Sequence, residues 1–194
     1  MIVIALPTIV LPDITAEQDL LVDASRNHPD ALRTIYEQYF PPVYQFVRLR
    51  INDREQARDI AADVFLDFFT AVKGRRTPNT SLRAWLFRVA RNKIYDHYGK
   101  TRQFPTATLD EWIPASADHD PENTFFESFR IERVRKALRL LSAEQQEVLI
   151  LRFGQGLNLQ ETADLMDKNV GAIKSLQFRA VEALRMFLDT GEMD

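Results

Sequence analysis

The sequence of 194 residues predicts an all-α protein: two small helical domains joined by an extended acidic linker, the C-terminal one a helix-turn-helix. Three observations carry this. Apolar residues recur every third or fourth position over most of the chain, and no useful length alternates with period two. Ser/Asn-x-x-Gln/Glu patterns mark helix starts. Between 103 and 128 the periodicity gives way to Pro105, Pro114, Pro121 and many Ser, Thr and Asp residues, the composition of an extended tether. The boundaries expected are an N-terminal arm at 1–12, a helical domain at 13–102, the linker at 103–128 and the second domain at 129–194.

The elements follow in order. Thr15 with Gln18 reads as a capping box opening a helix to about Asn27. Pro29 opens a second helix with Leu32, Ile35, Tyr36, Tyr39 and Phe40 on one side. Pro41-Pro42 is expected to break or kink it, because proline lacks a donor and restricts its predecessor, so Val43, Phe46 and Val47 fall on a third helix. Asp53 caps the next helix, to about Lys73, whose stripe is Ala57, Ile60, Ala61, Val64, Phe65, Phe68, Phe69 and Val72. Thr80 or Ser81 starts another to about Tyr98, with Leu82, Trp85, Leu86, Val89, Ala90 and Ile94 toward the core. After the linker come a helix over 129–141, a capping box at Ser142–Gln145 opening one to about Phe153, a cap at Asn158–Glu161 opening one to Met166, a tight turn at 167–169, and a last helix from Val170 to Leu188.

Composition narrows the chemistry. Without cysteine there is no disulfide framework, thiolate zinc site or cysteine nucleophile, and a reducing cytosol suits the chain. Six glycines and three scattered histidines offer little for a phosphate loop or metal cluster, and no hydrolase or metalloprotease motif is present, so no cofactor, no metal and no enzyme activity are expected. The apolar start, Met1–Leu11, lacks a basic n-region, is interrupted by Pro7 and is far short of the ~20 residues that span a bilayer. It reads as an arm, disordered or lying on the first helix, and the protein as soluble, cytoplasmic and without membrane insertion.

The net charge of −3 conceals a partition. From Lys73 to Arg102 nine Lys/Arg face Asp96 alone, whereas 103–128 holds six acids and no Lys/Arg. A concentrated basic block in a near-neutral chain is the signature of nucleic-acid contact at one place. On the helix carrying it, spacing puts Phe87, Arg91, Tyr95 and Tyr98 along one face, opposite the core stripe. Rings and guanidinium groups together hold single-stranded bases, since every base has a face to stack on, and Asn92 offers donor and acceptor to a base edge. Trp85 is read as core, flanked by Leu82, Leu86 and Val89.

The short helix, turn and long helix near the C-terminus form the arrangement that lays its second helix in a major groove. Ala163 marks the close approach, and Leu159, Leu165, Ile173, Ala180 and Leu184 form the shared core. Lys174, Ser175, Gln177, Phe178 and Arg179 are left for the groove, Gln177 able to pair with adenine. Asn169 and the free amides at the helix start suit a phosphate. Leu176, apolar amid these positions, is equally suited to the core.

The order of these parts resembles the sigma-70 family, in its small extracytoplasmic-function branch. Asp59-Ile-Ala-Ala-Asp-Val-Phe-Leu66 is similar to its acidic helix docking on the polymerase clamp; Trp85-Leu-Phe-Arg-Val-Ala-Arg-Asn92 with Asp96 to its minus-ten helix; Val170–Ala180, preceded by Leu141–Phe153, to its minus-thirty-five recognition helix. The resemblance implies a sigma factor that binds bacterial RNA polymerase core and promoter DNA, opens the strands, and is held silent by an anti-sigma factor. It implies polymerase contacts at Asp59, Asp63, Phe65 and Leu66, minus-ten contacts at Arg88, Arg91, Asn92, Tyr95, Tyr98, Lys100 and Arg102, and minus-thirty-five contacts at Lys174, Ser175, Phe178 and Arg179, beside Asn169 and Gln177 from the helix reading. Ala62 replaces a usual glutamine, so no polymerase hydrogen bond is carried there. Gly99 replaces a usual arginine, whose phosphate contact passes to Lys100 and Arg102. Leu176 and Gln177 replace a commoner arginine-leucine pair, which leaves promoter preference open.

Two other readings stay open. A stand-alone helix-turn-helix regulator explains the C-terminal half but gives the basic helix and the acidic stripe no role. A helical module with degenerate domains that binds only a protein would explain Ala62 and Gly99.

Overall fold

Four helices build the first unit of the chain, α1 (Ile14–Ser25), α2 (Pro29–Arg48), α3 (Arg54–Lys73) and α4 (Leu82–His97). The computed structural model describes residues 14–74, 81–99, 133–134 and 136–190. The second unit holds helical backbone at 136–139, α5 (Ala143–Leu149), a wide π-helical turn at Ile150–Gly154, α6 (Leu159–Met166) and α7 (Val170–Thr190). The expected arm at 1–12, the linker, Thr80, Lys100 and Arg102 lie outside the described residues.

The predicted caps mostly form. Asp53 accepts the Gln56 amide (2.9 Å) and Ser81 the Ala84 amide (3.2 Å), while Ser142–Gln145 and Asn158–Glu161 close as reciprocal boxes. α1 already includes Ile14, one residue before the expected start at Thr15, and it ends at Ser25, followed by Asn27 in the left-handed region at φ 65°.

Pro41-Pro42 does not break its helix. α2 runs through both, so the expected third helix is the second half of α2. Each proline costs one hydrogen bond, to the carbonyls of Glu37 and Gln38. Both those residues are exposed, where solvent can serve the carbonyls. Pro42, Val43, Phe46 and Val47 are buried, and their packing holds the helix together past the lost bonds.

In the first unit α2, α3 and α4 pack on one another, with α1 against all three. Ile35, Tyr39, Val43, Phe46, Ala61, Val64, Phe68, Leu82, Leu86, Phe87, Ala90 and Ile94 are fully buried. The expected α2 stripe is shifted: Tyr36 is exposed and Phe40 half-buried. Their rings lie on the rim, 5.1 and 5.8 Å from Phe65.

Inside this core sits a charge. Glu17 is 1% exposed, and its carboxylate accepts the Tyr39 hydroxyl (2.9 Å), the Arg83 Nε–H (3.3 Å) and the Arg83 backbone N–H (3.3 Å). Burial, reinforced by the Glu17 charge, pushes the Tyr39 hydroxyl well above its ordinary value. The folded state therefore keeps this proton at a pH where the unfolded chain, with a phenol near pH ~10, releases it. The contribution is full below about pH 10 and falls as pH rises further. Tyr39→Phe should lower stability at pH 7 by about 1 kcal/mol, and the decline of its stability between about pH 10 and 11 should be shallower than wild type, read by urea unfolding at each pH.

Candidate nucleic-acid interface

α4 has a buried and an open side, and they match the sequence expectation in part: Leu82, Leu86, Ala90 and Ile94 are buried as expected, but the boundary is shifted. Phe87 is fully buried edge-on against Phe46 (5.2 Å), and Arg91 is nearly buried, its guanidinium 4.8 Å above the Tyr95 ring and donating to the Tyr95 hydroxyl (3.0 Å). The row expected to face outward, Phe87–Arg91–Tyr95–Tyr98, is therefore largely turned toward α2. Tyr98 keeps an exposed ring, but its hydroxyl donates to the Arg50 carbonyl at the end of α2. Phe46 is thus covered twice, edge-on by Phe87 and by the Arg50 guanidinium 4.2 Å from its ring centroid.

The open side runs through Trp85, Arg88, Val89, Asn92 and Asp96. Asn92 and Asp96 are exposed, and Trp85, Arg88 and Val89 are half-buried. Trp85, expected in the core, rests edge-on against Phe68 at 5.8 Å with part of its ring in solvent. A half-exposed indole and an exposed amide on one face, with Arg88 between, are suited to an unstacked base and its phosphate. Lys93, on the flank, pairs with Asp67 of α3 at 2.9 Å. At the helix end Gly99 adopts φ 65°, a conformation that costs an arginine strain and glycine none.

α3 presents a second face. Asp59, Asp63 and Leu66 are exposed at helical spacing, Leu66 60% so, and Asp67 and Thr70 continue it. Phe65 is not on this face. It is 1% exposed in the core among Tyr36, Phe40 and Phe69, which leaves its ring without an open face of the kind a direct contact needs.

In the second unit α6 and α7 pack with Ala163, Leu165, Ile173, Ala180 and Leu184 buried as expected, and Leu159 half-buried. Leu176 is buried too, completing the core. The turn is made by Asp167 in the left-handed region (φ 53°) and by the Lys168 amide donating to the Ala163 carbonyl (2.9 Å). Lys174, Ser175, Phe178 and Arg179 are exposed, Phe178 67% so. They form a continuous outward face of a 21-residue helix, the geometry a major groove accepts.

Two residues assigned to DNA have other partners. Gln177 lies at the flank, its amide oxygen accepting from Arg152 Nε (3.0 Å), so the bidentate pairing with adenine is not open to it while that bond holds. Arg152 lies in the wide turn at 150–154, which the sequence does not announce. Asn169 is the N-cap of α7, its side-chain oxygen accepting the Ala172 amide at 2.8 Å, which takes up an amide that would otherwise meet a phosphate. Among the described residues there is no group of acids and histidines placed for a metal, and no helix is long and apolar enough to cross a membrane.

Comparison with known proteins agrees with this layout. The family model for Sigma-70 region 2 matches residues 35–104, and that for Sigma-70 region 4 matches 137–186. The chain is 34% identical over 171 residues to the ECF RNA polymerase sigma factor BldN of Streptomyces coelicolor, covering 88% of this chain and 65% of BldN. It is 33% identical over 174 residues to the ECF RNA polymerase sigma factor SigD of Mycobacterium tuberculosis, covering 86% of this chain and 81% of SigD. In fold it is similar to CnrH, solved in complex with the cytosolic domain of CnrY, at TM-score 0.62 and 23% identity over 90% of this chain and 98% of CnrH. It is also similar to RpoE of Bartonella quintana, solved with the anti-sigma factor NepR, at TM-score 0.56 and 24% identity over 81% and 96% of the two chains.

The capping role of Asn169 has a direct consequence. Asn169→Ala should destabilise the second unit by about 1 kcal/mol and Asn169→Asp should not, measured by urea unfolding.

Proposed function

The chain belongs to the sigma-70 family of RNA polymerase sigma factors, in its extracytoplasmic-function branch, and on that premise we propose how its surfaces divide the work of initiation. It is a transcription initiation factor and not an enzyme. It binds polymerase core, recognises minus-ten and minus-thirty-five elements and promotes strand opening. The observation that carries the division is the open side of α4, where Trp85, Arg88 and Asn92 share one face of a helix whose other side is packed in the core.

On this reading the stripe Asp59–Asp63–Leu66 of α3 meets the polymerase, an apolar contact ringed by acids that would choose a basic partner surface. Asn92 holds the edge of a base extruded from the minus-ten element, and the exposed part of Trp85 offers it a stacking face. Unstacking a base costs a few kcal/mol, and stacking returns about 1–3 kcal/mol per base, so one such site brings local opening near balance. Arg88, Arg91, Lys100 and Arg102 supply cationic potential for the backbone, with the salt dependence that counterion release brings. Arg91 does so from behind Tyr95, and Tyr95 and Tyr98 flank the site.

Lys174, Ser175, Phe178 and Arg179 enter the major groove at the minus-thirty-five element, and Asn169 and Gln177 support that helix rather than read bases. The protein acts in the cytoplasm, and an anti-sigma factor holds it inactive by covering the α3 stripe; RpoE, similar in fold, was solved with the anti-sigma factor NepR. A stand-alone regulator would have no use for an exposed Leu66 among acids.

Run-off transcription with purified core from the DNA upstream of the chain's own coding region tests this. Transcript should require both core and chain, and Asn92→Ala should reduce it about tenfold or more, the loss of one base-edge contact worth about 1–3 kcal/mol. Leu66→Arg should abolish co-elution with core while leaving the unfolding midpoint within about 0.5 kcal/mol of wild type, as expected for an exposed site. A chain that shifts duplex DNA alone and never binds core would overturn the reading.

A further inference from the structure

α1 lies upstream of the stretch matched to region 2, and nothing in the promoter-binding scheme above uses it. Its buried residue Glu17 nevertheless reaches the first turn of α4. One carboxylate oxygen accepts the backbone N–H of Arg83, one of the four amides that a helix start leaves without an intrahelical acceptor. The other accepts Arg83 Nε–H and the Tyr39 hydroxyl. Ser81 satisfies the Ala84 amide next to it. The N-terminus of α4 is thus capped twice, once by its own neighbour and once by a negative charge from 66 residues upstream, which also meets the positive end of the helix dipole.

We infer that Glu17 is a positioning residue for promoter opening: it sets the first turn of α4, and through it the direction of the Trp85–Asn92 face. This rests on the sigma reading of that face. The far end of α4 is tied separately, by Lys93 to Asp67 and by the Tyr98 hydroxyl to the Arg50 carbonyl. Releasing the near end lets the helix swing about the far one. Trp85, two residues or about half a turn from Glu17's contact at Arg83, then moves more than Asn92, about two turns farther on at 1.5 Å per residue. The stacking face and the base-edge group lose their common geometry although both side chains remain. Placement errors of about 1 Å are enough to cost roughly a hundredfold where groups must meet a distorted substrate.

Glu17→Gln tests this, since it keeps the size and one acceptor but removes the charge that holds Arg83. In a Trp112→Phe background, where Trp85 is the remaining tryptophan, the free chain should show red-shifted emission with far-ultraviolet circular dichroism unchanged. With the unaltered background, Glu17→Gln holoenzyme should make about tenfold to a hundredfold less run-off product than wild type on duplex promoter. It should regain wild-type output on a template already unpaired across the minus-ten element, because the positioning is needed to capture bases and not to bind core. Equal output on duplex promoter overturns the inference. So does an equal loss on both templates accompanied by lost core binding, which marks a purely structural residue. Should Glu17→Gln fail to fold, Tyr39→Phe, which removes one of the three donors and keeps the ring, should give the same template dependence in weaker form; wild-type behaviour there overturns the inference. Failure of wild type itself to transcribe in this assay would instead sink the sigma reading.

Discussion

A buried carboxylate is tolerated only while its donors stay in place. Removing the charged partner, Arg83, leaves an uncompensated charge worth about 3–5 kcal/mol, more than most single contacts in a small domain. Glu17 therefore constrains its surroundings in a way that the apolar core around it does not. Tyr39 must keep its hydroxyl toward α1, Arg83 must lay its side chain back along the start of α4, and α1, α2 and α4 are held in one arrangement. Apolar packing alone tolerates shifts of a few tenths of an ångström at modest cost. The aromatic contacts of Phe46 with Phe87 and of Phe68 with Trp85 then fill the space that this arrangement leaves.

The two units solve one problem by different local means. Each must hold a helix with one side in the core and the other open to DNA. In the first unit α4 is secured at both ends and along its flank, by Glu17 and Ser81, by Tyr98, and by Lys93 with Asp67. In the second, α7 is held by the Asn169 cap, the left-handed Asp167, and the Arg152–Gln177 bond from the wide turn before α6. In both cases polar residues hold the helix itself in place. The outward faces keep few committed side chains: Asn92 in one, Lys174, Ser175 and Phe178 in the other.

Local signals were legible in the sequence because they act over three or four residues. Asp53, Ser81, Ser142 and Asn158 cap the helices they were expected to cap, and the α3 stripe is buried at Ala57, Ala61, Val64, Phe65, Phe68 and Val72. What was misread depends on contacts distant in the chain. Periodicity places Phe87 and Arg91 opposite Leu86 and Ala90, but it does not say that α2 covers that side as well. The same holds for Phe65, which belongs at once to the family motif and to the aromatic cluster with Tyr36 and Phe40. Pro41-Pro42 looked like a break because the rule is local, whereas the packing of Val43 and Phe46 that overrides it is not. Glu17 gave no sequence signal at all: an acid in a first turn reads as a solvated dipole partner, and its real partners lie 22 and 66 residues away. Gly99, read from the resemblance as a departure from the family pattern, has a left-handed backbone that suits glycine.

On the proposed function, this chain, joined to polymerase core, draws a base out of promoter DNA onto the open side of α4. Placing 2-aminopurine at successive minus-ten positions of a promoter fragment and following its fluorescence tests this most directly. Fluorescence should rise at one position, only with core and chain together, and the rise should disappear with Asn92→Ala. Fluorescence that stays quenched at every position while the same mixture still binds the fragment would contradict it.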